Sequence, residues 1–267
     1  MRNRVGWLVV AVGVAAGGCA STAAAPNVEH LSRREVRLVR RIVHDLDPLV
    51  TERRAAGTLA VLTMDVVYAP LTARERAFLD AIRAIHPSQL QGSSQELPPT
   101  PPDVEFARLD GQVVFKEGAP TIVEAQYLPR EVFEAYGRMM AAMERDLGRR
   151  LLVESGYRSP AYQLYLFVFY LSNHGYSIRE TNRFVALPGY SEHGCPLRQA
   201  IDFMTQDGVN GDGKPEAFEA RPEYAWLQAH AGAYGFVLSF PRHNPTNTSF
   251  EPWHWRYESP LASTAGP

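Results

Sequence analysis

Two histidine-bearing segments, far apart in the chain, limit what this sequence can fold into. Residues 191–203 read SEHGCPLRQAIDF, and residues 251–255 read EPWHW. The first offers the imidazole of His193 and the carboxylate of Asp202. The second offers the imidazole of His254, with Glu251 three residues before it. Two histidines and an aspartate form a three-ligand zinc set whose fourth position is left for water, as a catalytic site requires. Glu251 is then the spare carboxylate able to take a proton from that water. A fold that serves this chemistry must bring both segments side by side on a rigid support.

Strand periodicity supplies such a support. Residues 199–204 read as a strand, so Ala200 and Asp202 share a face. Residues 253–257 read as a second strand, with Trp253, Trp255 and Tyr257 on one face and His254 and Arg256 on the other. Further strands are predicted at 112–115 and 121–123 around Glu117-Gly118, at 150–154, and at 236–240. Helices are predicted from Pro129 to about Leu147, closed by Gly148, from Ser159-Pro160 onward, and over 222–234. Met139, Met143 and their neighbours on the 129–147 helix read as core packing. Helices followed by antiparallel strands point to an α+β domain: a small antiparallel sheet carrying the zinc site, flanked by helices, with an N-terminal helical extension.

That extension spans residues 27–90. Leu31, Val36, Leu38, Val39, Ile42, Val43 and Leu46 give a helix one apolar face, with the arginines mostly elsewhere. Thr72 and Glu75 form a capping-box signature for another helix, which should stop before Pro87. Residues 59–67 fit a strand or a helix end. The stretch 91–103, with four prolines at 98, 99, 101 and 102, is the best domain boundary in the sequence. The domains expected are thus a signal through Cys19, a tether, helical accessory region and linker over 20–103, and a catalytic domain over 104–260.

The front end has its own logic. Arg2 and Arg4 precede an apolar run from Trp7 to Ala16, followed by Gly17, Gly18 and Cys19. That is the layout of a secretory signal, too short for a stable spanning helix. Its end resembles a bacterial lipobox, so Cys19 is the expected lipidation site. A lipid-anchored, periplasmic protein of the cell envelope, held at the outer membrane, is expected. Cys195 is the only other cysteine, so the fold cannot rest on disulfides. The net charge of -2 gives no case for nucleic acid or for an anionic membrane surface.

Five blocks together resemble a known family. They are Ser155-Gly156-Tyr157-Arg158-Ser159 with Gln163, Pro188 to His193, Ala200-Ile201-Asp202, Tyr234-Gly235-Phe236, and Glu251 to Tyr257. In order and spacing they look like D-alanyl-D-alanine carboxypeptidases of the VanY type, a zinc peptidase group that also includes lysostaphin and the hedgehog domain. The resemblance covers roughly residues 120–258. It implies His193, Asp202 and His254 as zinc ligands and Glu251 as catalytic base. It implies Arg158 as the group that polarises the scissile carbonyl or binds substrate, with Ser191 and Gln163 as substrate contacts. The implied substrate is a peptidoglycan stem peptide ending in D-Ala-D-Ala. L,D-carboxypeptidase, dipeptidase or endopeptidase action stays open beside it, as does a non-catalytic wall-binding lipoprotein.

This sequence departs from the family pattern Ser-x-His-x-x-Gly-x-Ala-x-Asp. The loop from His193 to Asp202 is two residues longer, and Arg198 replaces the glycine. An outward bulge would absorb the extra residues. Ser239 stands where the family often has a longer polar side chain. Cys195 reads as a free thiol beside the cleft rather than a fourth ligand, which would close the site. Residues 207–213 resemble part of a calcium loop but carry Gly208 where an acid is needed, so a polar turn is the better reading.

Overall fold

The computed structural model describes residues 25–90, 97, 103–116, 118–211, 213–245 and 248–258. The segment through Cys19 and most of the Pro-rich stretch lie outside the described residues. Helix α1 (Arg33–Ala55) begins at Ser32, whose hydroxyl accepts from the Glu35 amide while the Glu35 carboxylate accepts from the Ser32 amide at 2.7 Å. The same box starts α3 (Ala73–Arg83), where the Thr72 amide donates to Glu75 at 2.8 Å, as the sequence predicts. Residues 59–67 become a 3-10 turn (Leu59–Val61) and the first part of α2 (Met64–Tyr68), not a strand.

Beyond the Pro-rich stretch, β1 (Phe106–Leu109) pairs with β4 (Gln126–Pro129), and β2 (Val113–Lys116) pairs with β3 (Ala119–Ile122). The sequence signals the second pair but not the first. Strands β1 and β4 alternate too weakly to stand out from loop. Helix α4 (Arg130–Leu147) ends where Gly148 takes the left-handed conformation at φ 64°.

The main sheet is antiparallel with strand order β5-β6-β8-β7, formed by β5 (Leu151–Ser155), β6 (Ala200–Thr205), β7 (Phe236–Leu238) and β8 (His254–Tyr257). Its register sets Asp202 directly opposite His254. Between strands lie α5 (Pro160–Tyr170), α6 (Ile178–Asn182), α7 (Pro215–Glu219) and α8 (Pro222–His230). The α+β class and the helix-flanked antiparallel sheet match the expectation.

The packing divides differently from the sequence. One apolar core joins the main sheet to α4 and α8 through residues such as Met139, Phe203, Leu227 and Trp255. The other joins α1 and α3 to α5 and α6, with Ile42, Ile82, Leu164, Phe167 and Ile178 all fully buried. The helices before residue 103 share this second core with α5 and α6. They cover α5, which is apolar on nearly all sides and would otherwise expose Leu164, Phe167 and Val168 to water. A boundary at 103 separates the chain by composition but not by core.

Candidate metal centre and its cleft

Strand pairing puts the three expected ligands together. Asp202 Oδ1 lies 2.8 Å from His254 Nδ1, and Asp202 Oδ2 lies 3.1 Å from His193 Nε2. One ligand atom from each of His193, Asp202 and His254 lies within 4.8 Å of the others. Asp202 and His254 come from adjacent strands, while His193 arrives on a short 3-10 turn (Glu192–Gly194) just before β6.

His193 has its tautomer fixed. Its Nδ1 is 2.8 Å from the Gly156 carbonyl, which can only accept, so Nδ1 carries the proton. Burial, and then the nearby Arg158 charge, push its pKa down to about 4, so the ring is neutral. Its Nε2 therefore presents a lone pair. This atom is buried and has no hydrogen-bond partner, because the Asp202 carboxylate facing it is also an acceptor. Two acceptors in close contact in a buried place repel unless a cation lies between them. The donor set fits a divalent metal that takes nitrogen and oxygen ligands.

The backbone at Gly156 makes that arrangement possible. A Cβ there would meet the Tyr127 carbonyl oxygen at 2.4 Å, so only glycine fits. The turn after it is held from several sides. The Tyr157 amide donates to Tyr127 O at 2.6 Å, the Arg158 amide to His193 O at 3.0 Å, and the Ser159 amide to Ala60 O at 2.8 Å.

His254 sits between two carboxylates. Besides Asp202 at Nδ1, Glu192 Oε2 lies 3.0 Å from Nε2. Burial opposes a charge on the ring, but Asp202 and Glu192 outweigh it and raise the pKa to about 10. Burial likewise acts to raise the acids of Asp202 and Glu192. The histidines and, for Glu192, Ser239 and Arg256 overcome it, and both end below the usual carboxylate range. The Ser239 hydroxyl donates to Glu192 Oε2 at 2.5 Å, and Arg256 Nη1 lies 3.7 Å from Glu192 Oε1.

Glu192 was missing from the sequence-based site. Its adjacency to His193 gave no reason to look for a contact with His254, which needs the sheet to exist. Ser239, read above as a departure from the family, supports Glu192 here through its hydroxyl, which donates to that carboxylate.

Glu251 Oε2 lies 3.7 Å from His254 Nδ1, and its side chain is 17% exposed. Burial raises its pKa to about 7. Arg158 lines the same cleft with no carboxylate partner among the described residues, and its Nε is buried and unsatisfied. Ser191 also lines the cleft. Gln163 does not: it is buried, and its amide donates to the Ala186 carbonyl at 2.7 Å. Ala186 is itself a lining residue, so Gln163 reaches the cleft only through the wall it supports.

The cleft encloses about 1240 Å³ and runs along the seam between the two cores. Asp202, Glu251, Trp253 and His254 come from the sheet side, and Tyr170, Arg183 and Phe184 from the helical side. The longer loop between His193 and Asp202 does not bulge outward. Pro196–Arg198 forms a second 3-10 turn, Cys195, Pro196 and Gln199 are buried, and Gln199 Nε2 donates to the His193 carbonyl at 3.2 Å. Arg198, in the place of the glycine, pairs with Glu258. Cys195 is a buried thiol whose pKa burial pushes up, and it is not part of the ligand group. In the calcium-like loop, Asp207 is engaged by Arg221, as a polar turn requires.

A family model described as VanY, D-alanyl-D-alanine carboxypeptidase, matches residues 125–260. The putative carboxypeptidase YodJ of Bacillus subtilis is 34% identical over 158 residues, 58% of this chain and 51% of that one. The bifunctional D-Ala-D-Ala dipeptidase and carboxypeptidase VanXYC of Enterococcus gallinarum is 34% identical over 135 residues, 49% of this chain and 67% of that one. The solved structure of VanYB in complex with D-alanine-D-alanine shares 25% identity over 62% of this chain and 83% of that one, with a TM-score of 0.45. The chain spans about half the length of the Bacillus relative. The matched region takes in His193, Asp202, His254, Glu251 and Arg158, from the Gly156 turn to β8, and by that match the chain belongs to the VanY D-alanyl-D-alanine carboxypeptidase family.

Proposed function

We propose that this protein is a zinc carboxypeptidase that removes the terminal D-Ala from peptidoglycan stem peptides. The observation that carries the proposal is the facing pair of buried acceptors, His193 Nε2 and Asp202 Oδ2, in one cleft with Glu251 and an unpaired Arg158. His193, Asp202 and His254 would hold the metal. Zinc bound by such a set supplies a water acidified to near neutral pH and a positive charge that polarises an oxygen.

The chain's own residues do the rest. The Arg158 guanidinium, fixed by the turn at Gly156, binds the terminal carboxylate or the oxygen of the scissile carbonyl. Ser191 offers a hydroxyl to the substrate backbone, and Gln163 keeps the Ala186 wall in place. Glu251, whose proton affinity near neutral pH suits a general base, accepts a proton from the attacking water and passes it to the leaving amine. Glu192 orients His254.

The envelope placement rests on sequence. Arg2 and Arg4, the apolar run and Cys19 support export and lipidation at Cys19, and with them a periplasmic lipoprotein anchored at the outer membrane. Metabolic labelling with a fatty acid, in wild type and Cys19→Ser, tests this; equal labelling of both would refute it.

The activity is tested on purified chain from residue 20 onward. It should contain about one zinc per chain and release D-Ala from a pentapeptide stem. Glu251→Gln should retain the metal and lose turnover. Mass spectrometry of the products separates this from L,D-carboxypeptidase or endopeptidase cleavage. A wild type that binds stem peptide with zinc in place and never cleaves it would establish the non-catalytic wall-binding alternative instead.

A further inference from the structure

The chain's net charge of -2 conceals a strongly basic face. Residues 33–41 read RREVRLVRR, five arginines against one glutamate. Arg34, Arg37 and Arg41 recur at helical spacing on α1 and meet Arg74, from the start of α3, around a shallow cavity of about 240 Å³ floored by Leu38. All four are exposed, and Arg33 beside them is exposed too. Among the described residues none of the five has a carboxylate in ion-pair range. Glu35, the acid within the run, is turned back to the Ser32 amide. Arg54, Arg83, Arg130 and Arg179, by contrast, each pair with a carboxylate.

Helix stability does not explain this face. Arg33–Arg37, Arg34–Arg37 and Arg37–Arg41 are like-charge neighbours three or four residues apart, which weakens a helix. Arg33 and Arg34 also lie in the first turn of α1, where the helix dipole disfavours cations. Packing does not explain it either, since the buried face of α1 is built from Val39, Ile42, Leu46 and Val50. An external anion is the partner that would offset both penalties. Guanidinium forks match phosphate oxygens in pairs, and several converging on one face suit a surface that carries many phosphates.

We propose that the arginine face of α1 docks on the anionic phospholipid headgroups of a membrane. Two further features select a bilayer over a soluble phosphate. The cavity is shallow and its arginines stand on an open helix face rather than in an enclosed pocket. The face also starts only fourteen residues after Cys19, on the first helix of the described chain, so a bilayer holding the N-terminal segment would lie within its reach. None of the four cavity arginines lines the catalytic cleft, so docking leaves that cleft free.

The test uses unlipidated chain from residue 20 onward, which keeps every described residue, in cosedimentation with vesicles. Phosphatidylglycerol mixed into phosphatidylcholine should bind it, phosphatidylcholine alone should not, and added salt should weaken binding. Replacing Arg34, Arg37 and Arg41 together by Ala should lower vesicle affinity roughly a hundredfold, about fivefold for each arginine. Alanine is the better helix former, and the Arg→Lys triple variant, which keeps the charge, should bind nearly as wild type. Equal binding to neutral vesicles, or an alanine triple variant that binds like wild type, would overturn the proposal. So would capture of the chain by soluble polyphosphate without any binding to anionic vesicles. D-Ala release from soluble stem peptide should be the same in all these variants, so the outcome is independent of the proposed activity.

Discussion

Glu192 Oε2 stands 3.0 Å from Nε2 of His254, on the side of the ring opposite Asp202. A carboxylate in that position fixes the orientation of a metal-binding imidazole and raises its basicity. Ser239 and Arg256 hold the carboxylate in turn. Glu192→Gln should therefore lower zinc affinity by about 10- to 100-fold, measured by competition with a chromogenic chelator. Ser239→Ala should act in the same direction and less strongly. Wild-type affinity in Glu192→Gln would show that the contact does not orient the ligand.

Zinc uptake should release protons. In the metal-free protein His254 holds its proton up to about pH 10, whereas His193 is already neutral. At pH 7 binding must therefore displace the His254 proton, and apparent affinity should rise by about tenfold per pH unit through the neutral range. Calorimetry at neutral pH in buffers of different ionisation enthalpy would count about one proton per metal. A pH-independent affinity would contradict the protonation states described here.

The metal-free protein should also lose stability as the solution becomes alkaline. The folded-state pKa of His254 is raised from 6.5 to about 10, so its contribution is complete below pH 6.5 and lost as pH rises towards 10. Glu251 is raised from 4.5 to about 7, so its contribution is lost between those values. Both act in the same direction, while His193, lowered from 6.5 to about 4, acts against them up to pH 6.5, so denaturant midpoints of the metal-free chain should stay nearly level to pH 6.5 and fall from there to pH 9. His254→Gln should flatten the upper part of that slope. A midpoint that climbs over this range would exclude both assignments.

Arg158 should matter for substrate and not for fold. Its side chain has no carboxylate partner to lose among the described residues, so Arg158→Ala should leave zinc content unchanged. Catalytic efficiency should fall by about two to three orders of magnitude, the scale of losing one well-placed charge at a developing oxyanion. Arg158→Lys should recover part of it. If the alanine variant keeps more than half its kcat/KM on a stem peptide, Arg158 is not the anchoring cation.

The helical core should be as important to stability as the sheet. Ile42 is fully buried against α5, and Ile42→Ala should cost about 2–5 kcal/mol, read as a shift in the denaturation midpoint. An effect within about 0.5 kcal/mol, typical of surface sites, would mean that α1 packs loosely on α5.

The three candidate ligands that the fold brings together were legible in the sequence because each announces itself locally. His193 and His254 sit in short aromatic and polar blocks, and Asp202 falls on an obvious strand. The contact between Glu192 and His254 was not, because it spans 62 positions and exists only once β6 and β8 pair in register. The folded loop through Cys195 was hidden for a related reason. Extra residues in a loop look like a bulge until their buried side chains find neighbours. At residue 103 composition speaks only to the path of the chain. It marks a chain crossing well, but the apolar surface of α5 shows that the segments on either side need each other.

The amide of Ser159 bonds to the carbonyl of Ala60, so the loop that aims Arg158 is moored to a stretch outside the region shared with the family. The likeness to the family stops at residue 125, and the support for this turn does not.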